Sequence, residues 1–178
     1  PVDFIIRKAL MAERQAIQNL IAVSARELSR NDYSDVEIEA ALRAIFGVDT
    51  SLIQDGTYFV AEHNGQLIGC GGWSRRKTLF GGDQFSARDT TELNPKTDAA
   101  RIRAFFIHPE FARKGVGRSI LARCESEAGE HGFRKLELMS TLPGINFYEA
   151  CGYERVQPTT LELSDATIGF VVMRKAII

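Results

Sequence analysis

Residues 113–118, which read RKGVGR, constrain the fold of this chain more than any other stretch. They follow an apolar run over residues 102–107 and precede a segment with helical apolar spacing, so they lie where a strand passes into a helix. The first amides of a helix have no partner within it, and the helix dipole adds partial positive charge there. Glycines let a ligand approach this backbone closely. The pattern predicts an anion site at a strand-to-helix turn, with added charge from Arg113, Lys114 and Arg118.

Two better-known phosphate loops do not fit this segment. The dinucleotide-binding fingerprint needs a third glycine after Gly115 and Gly117, and Ile120 stands at that position. A P-loop needs Gly-Lys-Ser or Gly-Lys-Thr, and the chain contains no such triplet. On spacing alone, a tight turn that binds no ligand is as good an interpretation as a phosphate site.

A second cluster favours the ligand-binding interpretation. Residues 146–154 read NFYEACGYE, and a strand-like run over residues 135–139 separates them from the first cluster. Together the two clusters resemble the GNAT superfamily of acyl-CoA-dependent N-acetyltransferases. The first resembles that family's Arg/Gln-x-x-Gly-x-Gly/Ala pyrophosphate loop, and the second resembles its Phe-Tyr-x-x-x-Gly-Phe/Tyr motif. The resemblance is strong from about Arg101 to Glu154.

The resemblance implies acetyl-CoA as the acyl donor and no metal. The pyrophosphate of acetyl-CoA would lie on the glycine loop. The pantetheine arm of acetyl-CoA would pair with the strand before that loop, since a strand without a neighbour has free amides and carbonyls. The family's leading Arg/Gln is replaced by Ala112, and an Asn of the family is replaced by Thr141, whose hydroxyl can still bind pantetheine. The implied donor contacts are Phe105, Phe106, Ile107, Arg113, Lys114, Gly115, Val116, Gly117, Arg118 and Thr141.

The resemblance also assigns a catalytic role to Tyr148, which matches the family's tyrosine that protonates the CoA sulfur. A phenol suits this role because it is a neutral donor at pH 7. The structural alternative is a packing tyrosine on a short helix. The general base stays open, because residues 101–105 of the central strand contain no carboxylate. A water chain is one alternative, and the candidate side chains are His108, Glu62, Tyr33, Glu92 and Asp98.

The acceptor implied by the resemblance is a primary amine of a small molecule or a peptide. In the family its pocket is shaped by the first two helices and the segment after the third strand, here residues 26–33 and 73–85. The basic run at residues 75–77 would suit an acidic acceptor, or it is simply a solvated surface run. Two other function classes remain: a non-catalytic acyl-CoA binding or sensor module of the same fold, and an unrelated phosphate-binding α/β protein.

Composition is that of an ordinary globular domain. The chain has 178 residues, 44% of them hydrophobic and 25% charged, with a net charge of −1. This balance argues against a nucleic-acid or membrane-surface binder. We expect one N-acetyltransferase domain over residues 1–178, a cytoplasmic location, and an assembly that could be a homodimer. Cys70, Cys124 and Cys151 form no CxxC motif, and the first two are expected as buried hydrophobes.

The order of elements agrees with the family. Hydrophobic periods and turn residues predict strands at 4–7, 58–62, 66–73, 99–107, 136–139, 154–157 and 168–174, and helices at 11–28, 35–46, 116–132 and 144–151. The resemblance implies the α+β GNAT fold: a mixed, curved β-sheet flanked by helices on both faces, with splayed central strands holding acyl-CoA. Residues 75–97 read as a long loop, which we expect to cover the acceptor site unless it is a surface excursion.

Overall fold

A computed structural model describes residues 2–177, and within them seven strands form one sheet with helices on both faces. The strands are β1 (Ile5–Lys8), β2 (Tyr58–His63), β3 (Gln66–Ser74), β4 (Ala100–Ile107), β5 (Lys135–Thr141), β6 (Glu154–Glu162) and β7 (Thr167–Ala176). The helices are α1 (Arg14–Leu28), α2 (Asp35–Ala44), α3 (Thr50–Gln54), α4 (Val116–Glu130) and α5 (Ile145–Ala150). The strand order is β1-β2-β3-β4-β5-β7-β6, and only the β4–β5 pair is parallel. This arrangement confirms the mixed sheet expected from the sequence.

The parallel pair at the centre of the sheet separates soon after it begins. Only Ala100 and Arg101 of β4 are paired with β5, although β4 continues to Ile107. At the last shared pair, Glu137 of β5 accepts hydrogen bonds from Arg101 at 3.1 Å and from Arg174 at 2.5 Å. Beyond this point one edge of β4 has no neighbouring strand, because β5 turns away with β7.

A bulge in β4 lies beside this gap. Gly72 is paired with Arg103 and Cys70 with Phe106, so two residues of β4 face the single Gly71. The extra residue makes Ala104 adopt a φ of 56°, and the Tyr58 hydroxyl donates to its carbonyl at 3.3 Å. A Cβ on Gly71 would lie 2.6 Å from the Phe105 ring, so only glycine fits opposite the bulge.

Each face of the sheet carries its own core. The face covered by α4 buries Ile120, Leu121 and Cys124 against residues of β4 and β5, whereas α1 and α2 cover the other face. The Ser34–Glu37 capping box that opens α2 is present as predicted. The short helix α3, which Asp49 caps at its N-terminus, is not among the predicted helices. No helix in the described part of the chain is both long and apolar enough to cross a bilayer.

Candidate active site

A cavity of about 700 Å³ lies in the gap between β4 and β5. The glycine loop before α4 forms one end, which we call the loop end. The other end is formed by the last turns of α1, by the chain after α2 and by residues 79–82; we call it the acceptor end. Between the two ends, the wall consists of β4, β5 and the start of α5. The cavity therefore joins the two sequence clusters.

The loop end presents free backbone donors. Gly115 caps α4 with a φ of 84°, which an L-residue adopts only with strain. The first amide of this turn to be bonded is that of Ser119, which donates to the Gly115 carbonyl at 3.1 Å. The amides of residues 115–118 donate no hydrogen bond to any residue in 2–177. Four such amides at a helix N-terminus make a site for an anion.

Gly117 has a second reason to be glycine. A Cβ at this position would lie 3.2 Å from Cζ of Phe147 on α5. Its glycine therefore permits α4 and α5 to pack closely at the cavity wall, in addition to keeping side-chain atoms out of the anion site. Gly115 differs, because a Cβ there would meet no atom within 4 Å.

The three cations of the loop are not equivalent. All three are exposed, and none forms a salt bridge with a described residue. Arg113 and Arg118 line the cavity, whereas Lys114 does not. Of the other sequence-predicted donor contacts, Phe105, Phe106, Ile107, Val116 and Thr141 all line it.

Tyr148 lies in the cavity wall on α5. Its ring packs edge-on against three aromatic rings, with centroids 6.4 Å from Phe105, 5.1 Å from Phe147 and 5.8 Å from Tyr153. The residue as a whole is only 9% exposed, and its hydroxyl makes no hydrogen bond with any described residue. Burial raises the pKa of Tyr148 above its ordinary value, so the hydroxyl keeps its proton at neutral pH.

None of the predicted general bases reaches this cavity. Its lining, within the residues described, contains no Asp, Glu, His or Lys side chain. The five candidates are engaged elsewhere: Tyr33 with the Gly169 carbonyl, His108 with the Glu110 amide, Glu62 with Arg7, Glu92 with Arg75, and Asp98 with the Asn94 amide. No cluster of His, Cys, Asp and Glu suited to a metal ion occurs in residues 2–177 either.

Only parts of the two segments predicted to shape the acceptor pocket line the acceptor end. Leu28 and Ser29 of the first segment line the cavity, as do residues 79–82 of the second. Trp73 does not, because it is buried on the α4 face, where its indole N–H donates to Glu127 at 3.0 Å. The expectation that Trp73 borders the acceptor is therefore wrong.

Two residues of the basic run at 75–77, Arg75 and Arg76, are bound to acidic groups outside the cavity. Arg76 donates to both oxygens of Asp55, at 2.9 and 3.0 Å, and Arg75 donates to Glu92 at 3.0 Å. The solvated-run interpretation thus fits better than an acceptor contact.

The segment at residues 75–97 is fastened to the body of the protein. Its two arms are joined where the Lys77 amide donates to the Thr91 carbonyl at 2.9 Å. The Gly82 amide donates to the Ile45 carbonyl at 2.8 Å, and Arg88 donates to Asp49 at 2.8 Å. These contacts hold Phe80 in the wall of the acceptor end.

Arg103 is the lining residue that sequence reasoning missed. Its side chain is only 3% exposed, and its Nη2 donates to the Gly81 carbonyl at 2.5 Å. The same nitrogen lies 2.6 Å from Oδ2 of Asp49, whose side chain is fully buried. Burial lowers the pKa of Arg103, but a guanidinium remains charged at neutral pH. The available signal was a pair of arginines, Arg101 and Arg103, in a central strand whose other residues are apolar.

Comparison with known families agrees with this geometry. Residues 21–153 match the sequence model described as the acetyltransferase (GNAT) family, which is most of the chain and includes both motifs. The chain belongs to the GNAT acetyltransferase family. The membership confirms the predicted family.

Individual relatives are distant. An uncharacterized N-acetyltransferase of Chlorobaculum tepidum is 27% identical over 100 residues, which are 56% of this chain and 51% of that protein, so the match spans about half of the relative. The structure of a GCN5-related N-acetyltransferase from Rhodopseudomonas palustris aligns with a TM-score of 0.72 at 18% identity, covering 97% of this chain and 95% of the other. The structure of the PaiA N-acetyltransferase from Thermoplasma acidophilum, in complex with coenzyme A, aligns with a TM-score of 0.67 at 14% identity. The alignment covers 98% of this chain and 99% of the other. These structures establish the likeness of the fold.

Proposed function

We propose that this GNAT family member transfers an acetyl group from acetyl-CoA to a primary amine of a small molecule or a peptide. The observation that carries the proposal is the set of free amides at residues 115–118, which opens on the same cavity as Tyr148. The coenzyme A complex of the PaiA relative supports the choice of donor. All described strands belong to one sheet, which supports a single N-acetyltransferase domain over residues 1–178.

The residues of the gap fit acetyl-CoA. The amides of residues 115–118, with Arg113 and Arg118, would hold its pyrophosphate. The free edge of β4 at Phe105, Phe106 and Ile107 offers backbone groups to the two amides of pantetheine. The Thr141 hydroxyl, across the gap at the end of β5, adds a further donor and acceptor.

Acetyl transfer needs a neutral amine, a stabilised oxyanion and a proton for the departing thiolate. Tyr148 supplies the proton, because its hydroxyl is free in the wall and remains protonated at neutral pH. No titratable base lines the described cavity, so the amine loses its proton to solvent before it binds or through water. The chain thus contributes positioning and an acid rather than a general base.

The test is to supply acetyl-CoA with a panel of amines and to measure the release of free thiol. Turnover with at least one amine supports the transferase. Binding of CoA without thiol release for any amine would instead favour the sensor module of the same fold. Binding of NAD or ATP in place of CoA would contradict the donor assignment altogether.

A further inference from the structure

Arg103 is the only charged side chain of the described cavity lining that lies outside the glycine loop. It comes from β4, at the bulge that places it on the same face as α3 and the 75–97 segment. Through the Gly81 carbonyl it contacts the segment that closes the acceptor end. A cation at this end therefore has access to the acceptor rather than to the pyrophosphate.

Most of the donors of this guanidinium are unused. A guanidinium has five N–H donors. Within residues 2–177 only Nη2 of Arg103 donates a hydrogen bond, while Nε is fully buried without a partner and Nη1 has none. An almost completely buried cation with free donors is costly unless a further acceptor is supplied.

The one carboxylate in contact with Arg103 does not neutralise this end of the cavity. Asp49 is shared with Arg88, whose Nη2 donates to Oδ1 at 2.8 Å, and it also caps α3 through Ser51. Two arginines and one carboxylate leave a single positive charge in the cluster. Asp83 lies 3.6 Å from Arg88 but is 40% exposed, so its charge is largely screened by solvent.

The remaining wall of the acceptor end is mostly apolar, with Ser24 and Ser29 as its uncharged polar side chains. Phe46 packs edge-on against Phe106 at a centroid distance of 5.5 Å, and Phe80 packs on Phe85 at 4.9 Å. Phe46, Phe80, Phe106 and Leu28 all line the cavity. Such a wall suits an apolar body, and without carboxylates among its described residues it offers no anionic partner to a second cationic group of an acceptor.

Resting on the proposed acetyl transfer, we propose that the acceptor is an amino-acid-like molecule: a primary amine that also bears a carboxylate and an apolar side chain, with Arg103 binding the carboxylate. A buried arginine prefers a carboxylate to a neutral amide, because charge-assisted hydrogen bonds are stronger. It also rejects analogues that leave its donors unpaired. Arg103 is in this way a specificity-determining residue.

The experiment compares matched ligands that differ only in the carboxylate. Calorimetry with CoA present measures the binding of N-acetylphenylalanine and of N-acetylphenylalaninamide, a pair without a titrating amine. Turnover is measured in parallel with phenylalanine and phenylalaninamide. We expect the wild type to bind the carboxylate at least tenfold more tightly than the amide. In Arg103→Met this preference disappears, and in Arg103→Lys, which keeps the charge beside Asp49, it is reduced.

The control is Arg76→Gln, which removes an arginine that pairs with Asp55 at the start of the same 75–97 segment but lies outside the cavity lining. It should lower stability and leave the carboxylate preference intact. Equal binding of the two ligands by the wild type, absence of binding by both, or a preference that survives in Arg103→Met would overturn the proposal. If the carboxylate is preferred but no amine in any panel releases thiol from acetyl-CoA, the recognition stands and the transferase proposal fails.

Discussion

Three aromatic neighbours fix the ring of Tyr148 in the cavity wall while its hydroxyl stays free of protein partners among the described residues. The hydroxyl keeps access to the cavity rather than being enclosed in the core, so it is free to bond a ligand there. Ring packing and hydroxyl function are thus separable at this position.

Tyr148→Phe keeps the ring and removes only the proton donor. We expect kcat to fall by roughly 10²–10⁴-fold, the usual contribution of a general acid. The melting temperature and the CoA dissociation constant should stay near those of the wild type, because no protein hydrogen bond is lost. Steady-state kinetics and calorimetry measure both quantities. A variant with wild-type kcat would return Tyr148 to a structural role.

The pH dependence of the reaction follows from Tyr148 and from the side chains that line the described cavity. The raised pKa of Tyr148 keeps the acid protonated throughout the neutral and mildly basic range. With no base in the described lining, kcat/KM should rise about tenfold per pH unit until the pKa of the amine itself is reached, and then level off. Profiles for two amines of different pKa should therefore be displaced by that difference. Identical profiles would point to a protein base.

At the scale of elements, the turn into α4 combines free amides with two arginines that face the cavity. We expect the double variant Arg113→Gln/Arg118→Gln to weaken CoA binding at least tenfold, about 1.4 kcal/mol, with a smaller dependence on salt. Lys114→Gln is the matched control, because this lysine is equally exposed but does not line the cavity. An equal loss in both variants would mean that only the general positive field of the loop matters.

The 75–97 segment is the second element whose role can be tested. Phe80→Ala removes an aromatic wall of the acceptor end and should raise the acceptor KM about tenfold, or ~1.4 kcal/mol. The CoA dissociation constant should not change, because Phe80 lies at the opposite end of the cavity from the glycine loop. Thr91→Ala, an exposed position in the same segment, serves as the comparison. Unchanged acceptor kinetics in Phe80→Ala would assign selectivity to α1 alone.

At the scale of the whole molecule, β4 and β5 share only two residue pairs, and a ligand in the gap would bridge the two parts of the sheet. CoA at about 100 times its dissociation constant should add roughly 2.7 kcal/mol to stability. For a chain of this size that corresponds to a rise in Tm of about 5–10 °C. NAD at the same concentration should give none. A similar shift with both ligands would indicate nonspecific anion binding.

Local features could be predicted because neighbouring residues create them. The strand-to-helix turn, its glycines, the capping box at Ser34 and the motif around Tyr148 each depend on a few consecutive residues. The α3 helix was missed because its five residues are too few to form a stable helix alone, and it depends on the buried cap Asp49. The side of the sheet on which Trp73 lies was also missed, because packing against α4 decides it.

The sequence by itself determined the family of this protein and predicted the donor site and the acid proposed for it. Only the tertiary structure decided the acceptor end. Asp49, the stretch from Gly81 to Arg88, and Arg103 lie in separate parts of the chain and meet because α3 and the 75–97 segment pack on the bulged strand β4. The absence of a base among the described lining residues is likewise a property of the assembled cavity. The spacing of residue types along the sequence predicts contacts within one element, whereas contacts between elements depend on how the chain packs.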